Sequence, residues 1–117
     1  MPRGRPVDPD AVRAALSQLA ALDAIGAKQV VTAAGDINRL KILRALDGVA
    51  LAAGDLAYVI GRSRAATSQH LAVLRRLGAV SSARSGNVVR YRLTESESAR
   101  VLVSIARAFD ALEAKAR

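Results

Sequence analysis

Leu56-Ala57-Tyr58-Val59-Ile60-Gly61-Arg62-Ser63-Arg64-Ala65-Ala66-Thr67-Ser68-Gln69-His70-Leu71-Ala72-Val73-Leu74-Arg75-Arg76-Leu77-Gly78 holds two apolar patterns on either side of a glycine. A short apolar run stops at Gly61. A second pattern follows, in which Ala66, Leu71, Leu74 and Leu77 fall close to a helical repeat. Ser63 stands where a hydroxyl can accept an orphan amide hydrogen of a first turn, and Gly78 where a left-handed residue ends a helix. The pattern predicts helices over Ala53 to Ile60 and Ser63 to Leu77 around a tight glycine turn, which is a helix-turn-helix. Immediately downstream, Val80-Ser81-Ser82-Ala83-Arg84 and Val88-Val89-Arg90-Tyr91-Arg92-Leu93 are β-prone runs separated by Ser85-Gly86-Asn87, the signature of a hairpin. A hairpin directly after a helix-turn-helix is a winged helix.

The charge is concentrated in the same place. From Leu56 to Thr94 there are seven arginines (Arg62, Arg64, Arg75, Arg76, Arg84, Arg90, Arg92) and no Asp or Glu. The chain holds 18 basic and 10 acidic residues for a net charge of +8, so the charges outside this segment nearly cancel. Surfaces selected only for solubility mix both signs. A one-sign segment of this length points to a polyanionic partner, most simply double-stranded DNA.

These residues also resemble a known family. Thr67-Ser68-Gln69-His70-Leu71, Leu74-Arg75-Arg76-Leu77-Gly78-Ala79-Val80, the run Gly86 to Leu93, and upstream Gly35-Asp36-Ile37-Asn38-Arg39-Leu40-Lys41-Ile42-Leu43 are similar to the ArsR/SmtB repressors of prokaryotes. Ile37 departs from the family, which usually has proline there. The resemblance implies a homodimer whose first and last helices form the interface. It also implies repression from an operator, and histidine at position 70 packing or hydrogen-bonding at the protein–DNA boundary.

At 117 residues the chain fits one domain able to bury about two thirds of its unfolded surface. Aromatic content is only 3%, so the core must be built from Leu, Val, Ile and many alanines, and a second subunit would supply missing apolar area. The absence of cysteine excludes disulfides, thiolate metal sites and thiol redox sensing. No run is long enough to span a membrane, and charges and prolines stand where a signal peptide would be apolar; a cytoplasmic protein is expected.

In chain order, residues 1–8 read as a flexible basic tail and 9–117 as the winged helix-turn-helix domain. Within the tail, Pro2-Arg3-Gly4-Arg5-Pro6 resembles the core of an AT-hook, in which Arg3 and Arg5 would lie along a narrow A·T-rich minor groove. Asp8 or Asp10 can cap a first helix with Pro9 in its first turn. Val12, Ala15, Leu16, Leu19 and Leu22 then form a helical stripe suited to pairing. Ile25 to Ala34 reads as helical with a kink at Gly26, and with Val30 and Val31 toward the core. Asp36 is a candidate cap for a helix that buries Ile37, Leu40, Leu43 and Leu46 and turns Asn38, Arg39, Lys41 and Arg44 outward. After the wing, Thr94 and Glu97 have capping-box spacing. Val101, Leu102, Ile105, Ala108, Phe109 and Leu112 form the apolar face of a last helix.

A recognition helix fits the major groove, and side chains near its N-terminal end reach base edges. Those are Arg64, Thr67, Ser68 and Gln69, with His70 at the edge of reach. Arg64 suits guanine, Gln69 adenine, and Thr67 or Ser68 a phosphate or thymine methyl. Arg84, Asn87 and Arg90 belong to the wing, which meets backbone or minor groove. The interface expected from the family is carried by Leu16, Leu19, Val101, Ile105, Phe109 and Leu112.

Metal-sensing relatives carry Cys-x-Cys at the start of the helix before the recognition helix, where this chain has Ala52 and Gly54, or Asp, His and Glu on the last helix, which here has no histidine. No metal site and no cofactor is expected. The chain shows no nucleophile with a base and no phosphate loop, so it does not read as an enzyme. The expected fold is therefore mostly α with a small β-hairpin wing, a winged helix-turn-helix dimeric through its first and last helices. The expected function is a sequence-specific repressor on a pseudo-palindromic operator, with no effector assigned. An architectural nucleoid-type protein with little sequence preference, or a winged helix used for protein contact, are the rivals.

Overall fold

The computed structural model describes residues 4–116. Helix α1 (Pro9–Ser17) leads through a 3-10 turn (Ala20–Asp23) to α2 (Ala27–Ala34) and α3 (Ile37–Ala45). A two-residue strand β1 (Leu51–Ala52) precedes α4 (Ala53–Ile60) and α5 (Arg64–Arg76), then β2 (Val80–Ser85), β3 (Val88–Leu93), α6 (Glu97–Ala108) and α7 (Asp110–Ala116). The helix-turn-helix is thus α4 and α5, and the wing is β2 and β3, as the sequence predicts. The sheet is antiparallel in the order β1-β3-β2, with Leu51 opposite Tyr91 and Ala52 opposite Arg90. Sequence reading missed β1, because two residues of alternation carry no periodic signal.

The core gathers around α3. Ile42, Leu43 and Leu46 are fully buried against Leu56 and Ile60 of α4, Leu71 and Leu74 of α5, and Leu102 of α6. Each such side chain contributes about 2 kcal/mol by leaving water. Ala99 and Ala106 flank Leu102 one turn away on either side and are also buried, so α6 lies close against its neighbours. Ile42 was not among the expected core positions, whereas Ile37 is 57% exposed and Val31 63% exposed, against expectation. With leucines at 40, 43 and 46 inside, Ile37 marks the edge of the buried face rather than its centre.

Thr67 is also a core residue. It is completely buried, and its hydroxyl donates to the Ser63 carbonyl at 2.8 Å. This corrects its expected place among the DNA contacts: on α5 it shares the inward face of Leu71 and Leu74, and no atom of it reaches solvent.

Local capping explains where elements begin and end. Asp8, Asp36, Ser63 and Ser96 each accept an amide hydrogen from the helix they precede. At the end of α5, Gly78 has φ +76; its amide donates to the Arg75 carbonyl and that of Ala79 to the Leu74 carbonyl, both at 2.9 Å, the paired bonds of a Schellman ending. Thr94 is not the cap of α6. Its hydroxyl donates to the Gly78 carbonyl at 2.5 Å, Ser96 donates to the same oxygen at 3.0 Å, and the cap falls to Ser96. The start of α6 is thereby tied to the end of α5.

The terminal stripes are interrupted. Bonds from Gln18 to Ala15 and Leu19 to Leu16 tighten the chain after Ser17, so Leu19 leaves the α-helix and precedes the 3-10 turn that holds Leu22. Gly26, at φ +91, precedes α2 rather than kinking it. The last helix likewise divides at Phe109, where the bonding also tightens. Helix α1 buries nothing, and Leu16, Leu19, Leu22, Val101, Phe109 and Leu112 are all substantially exposed, with Ile105 half-buried. The Cα radius of gyration is 18.4 Å, where a compact chain of this length has about 13 Å. The ends do not close over the chain's own core.

Asp36 holds the entry to α3, accepting from the amides of Asn38 at 2.8 Å and Arg39 at 3.2 Å. Burial raises its carboxyl pKa, but those two amides and the neighbouring His70 and Arg39 outweigh it and hold the group below its ordinary value of 3.8. Asp36→Ala should cost about 1 kcal/mol in urea unfolding at neutral pH, and Asp36→Asn less. A folded pKa below the unfolded one means this stability is complete above the ordinary carboxylate range and disappears as pH falls through the folded value. The gap between wild type and Asp36→Asn should therefore close in acid; a constant gap would assign the effect to shape alone.

Candidate nucleic-acid interface

Packing fixes the rotation of α5 about its axis. With Thr67, Leu71 and Leu74 inward, the exposed face is Arg64, Ala65, Ser68, Gln69, Ala72, Arg75 and Arg76, one continuous stripe along a helix about 18 Å long. Three of the expected base-reading residues, Arg64, Ser68 and Gln69, lie together on it. Ala72 lies between them and the paired arginines, and its small side chain permits close approach to a groove.

His70 lies off this face, half-buried on the flank of α5 that it shares with Val73 and Leu77. Its Nδ1 lies 3.4 Å from Arg39 Nη1, and its Nε2 lies 3.9 Å from Asp36 Oδ1. Arg39, expected to point into solvent, instead donates from Nε to the Ala33 carbonyl at 2.9 Å and from Nη2 to the Thr32 carbonyl at 3.1 Å. Those carbonyls close the C-terminal end of α2, where a cation is favoured. One guanidinium thus joins α2, α3 and α5. No local pattern announces it, since its partners are brought together only by folding.

The wing presents its arginines on two sides. Arg84 pairs with Val89 and Ala83 with Arg90. Paired residues share a face and neighbours along a strand alternate, so Arg84 and Arg90 occupy opposite faces. Arg90 and Arg92 lie on the outer face with Val88, and Arg84 extends past the core on the side of Tyr91 and Leu93. Asn87 is exposed in the two-residue turn, where Gly86 at φ +62 supplies the left-handed first position.

The charges on this surface are unneutralised. Arg13, Arg44 and Arg107 are paired with Asp10, Asp47 and Asp110. None of the seven arginines between Leu56 and Thr94 forms an ion pair with a described residue. Such a field attracts phosphate at a distance and releases counterions on contact. In the tail, Arg5 is exposed, and Arg3 lies outside the described residues.

The two positions compared with Cys-x-Cys lie at the junction of β1 and α4. Ala52 belongs to β1 and Gly54 to α4. Asp110 accepts from Arg44 Nη2 at 3.1 Å, and Asp47 accepts from Arg107 Nε at 3.1 Å, linking α3 to the last two helices. Among the described residues, no three His, Cys, Asp or Glu side chains converge.

Comparison with known proteins agrees with this geometry. A family described as a helix-turn-helix domain matches residues 35–83. The cadmium resistance transcriptional regulatory protein CadC of Listeria innocua is 40% identical over 83 residues, which is 70% of each chain. The solved structure of HlyU from Vibrio cholerae is 32% identical, with a TM-score of 0.63, covering 71% of this chain and 90% of that one. The homodimeric winged helix-turn-helix DNA-binding domain of a possible ArsR-family regulator from Mycobacterium bovis is 25% identical, with a TM-score of 0.61, covering 93% and 91%. No helix among the described residues is long and apolar enough to cross a membrane. The winged helix, its arginine-only face and these likenesses together place the chain in the ArsR/SmtB family of DNA-binding transcriptional regulators.

Proposed function

We propose that this chain is a homodimeric repressor that reads a pseudo-palindromic operator with two α5 helices about one DNA turn apart. The observation that carries the proposal is the continuous stripe of Arg64, Ser68 and Gln69 on α5, flanked by arginines without ion pairs. Gln69 and Arg64 read base edges; Ser68, Arg84, Asn87 and Arg90 position the protein on backbone and minor groove. His70 supports the face from behind, through Arg39. Cadmium resistance is part of CadC's name alone; this chain has no cysteine and so no thiolate to offer a metal.

Base readout makes Gln69→Ala a test of sequence preference. On a duplex selected from a random pool, the variant should lose about 1–3 kcal/mol of discrimination at one position while its salt slope stays unchanged. Thr67→Val, altering a buried hydroxyl, should leave preference as it is. Uniform loss on all sequences for Gln69→Ala, with less than about a thousandfold preference for the selected duplex over bulk DNA, would favour the architectural reading.

Pairing through α1, α6 and α7 is supported by the exposed Leu16, Leu19, Val101, Phe109 and Leu112, by half-buried Ile105, and by the open ends of the protomer. Phe109 is 48% exposed, so replacing it should not disturb the protomer's own core. Phe109→Arg should therefore run as a monomer in analytical ultracentrifugation and lose operator binding; a dimeric variant would move the interface elsewhere.

The tail adds a minor-groove contact through Arg3 and Arg5. Removing residues 1–6 should weaken binding mainly where A·T tracts flank the operator. Equal loss on all flanks would reduce the tail to general charge.

A further inference from the structure

A cavity of about 510 Å³ opens between α2 and the last turn of α5, away from the stripe of Arg64, Ser68 and Gln69. Its floor is apolar: Ala33 is fully buried, and Val73 and Leu77, one turn apart on α5, are half-buried. Its rim carries Lys28 from α2 and Arg76 from α5, and Gln29 and Thr32 of α2 also line it. No acidic side chain lines it, and neither Lys28 nor Arg76 forms an ion pair with a described residue. Volumes of this order accommodate small molecules. An apolar floor under two uncompensated cations is complementary to one kind of occupant, an organic anion with a hydrocarbon body.

From this arrangement we infer that the cleft between α2 and α5 is an effector site for a small amphipathic carboxylate, whose apolar part covers Val73 and Leu77 and whose carboxylate lies between Lys28 and Arg76. The regulatory half of this inference rests on the DNA-binding function proposed above. Arg76 belongs to both surfaces, the cleft and the exposed face of α5. A carboxylate drawn against it places a negative charge at the end of the recognition helix and turns the guanidinium away from phosphate, so ligand and DNA compete for the same cation. The α2 wall is joined to α5 by Arg39, which holds the Thr32 and Ala33 carbonyls on one side and lies against His70 on the other. A shift of α2 is therefore felt by the helix that carries Gln69.

The test uses the full-length protein with phenylbutyrate as the anionic probe and phenylbutanol, which has the same body without the charge. In nitrogen-15-labelled protein, phenylbutyrate should shift amides of residues 28–33 and 73–77, and phenylbutanol should bind more weakly. Lys28→Gln should weaken phenylbutyrate by about threefold, the scale of one exposed charge pair, while binding a duplex selected from a random pool as the wild type does. Phenylbutyrate should weaken wild-type binding to that duplex, and less so for Lys28→Gln. Equal binding of acid and alcohol, shifts confined to the exposed face of α6, or an effect on DNA that Lys28→Gln does not reduce would each overturn the site. Failure to select any duplex would remove the DNA-binding function instead, and the titration would still decide whether the cleft takes the anion.

Discussion

The inward packing of Thr67, Leu71 and Leu74 is the constraint on which the rest depends. A helix has no preferred rotation of its own, and each residue step turns it by about 100°. Burying these three side chains fixes that angle, and Arg64, Ser68 and Gln69 are exposed because of it. The buried hydroxyl of Thr67 adds to the definition: its donor is satisfied by the Ser63 carbonyl within the first turn, so the polar atom is inside at little cost. The apolar face and the reading face are two consequences of one packing arrangement.

Behind that helix, polar contacts do what a thin core cannot. Few aromatic side chains are available, and the interior is leucines, isoleucines and alanines with Val80, gathered around α3. Arg39 reaches the end of α2 and the flank of α5 together, while Asp36 holds the first turn of α3 and lies near His70. The hydroxyls of Thr94 and Ser96, converging on the Gly78 carbonyl, connect α6 to the end of α5. The contacts of Arg39 and of Asp36 with His70, and those of Thr94 and Ser96 with Gly78, each tie another element to α5 or to its C-terminal end. The only histidine takes part in this framework, which leaves it poorly placed as an independent metal ligand.

The open ends and the cleft have a common origin in the short α2. Eight residues long, it packs Ala33 and Val30 against the core but leaves Val31 exposed on one flank and Lys28 on another. The first flank adjoins the exposed apolar residues of the 3-10 turn and α6, where the proposed subunit pairing would cover it. The other flank meets Val73, Arg76 and Leu77 and forms the cleft. A single helix thus lies between the flank where subunit pairing is proposed and the cleft beside the proposed recognition helix, which is where coupling between the two is physically simplest.

The sequence by itself determined the elements whose signals are local. The bounds of α4 and α5, the wing and its Gly86-Asn87 turn, the caps Asp36 and Ser63, and the acid-free arginine segment all follow from periodicity, hydrogen-bonding side chains and charge within a few residues of one another. Only the tertiary structure decided which face of each element would be used. It put Thr67 inside and Gln69 outside, gave Thr94 to Gly78 and the cap to Ser96, turned Arg39 from solvent to the end of α2, and added β1 to the wing through Leu51 and Tyr91. The reason is range: a cap or turn is chosen by neighbours along the chain, whereas exposure or burial is set by partners on other elements, such as the Thr32 and Ala33 carbonyls for Arg39 and the Gly78 carbonyl for Thr94, whose positions no local pattern records.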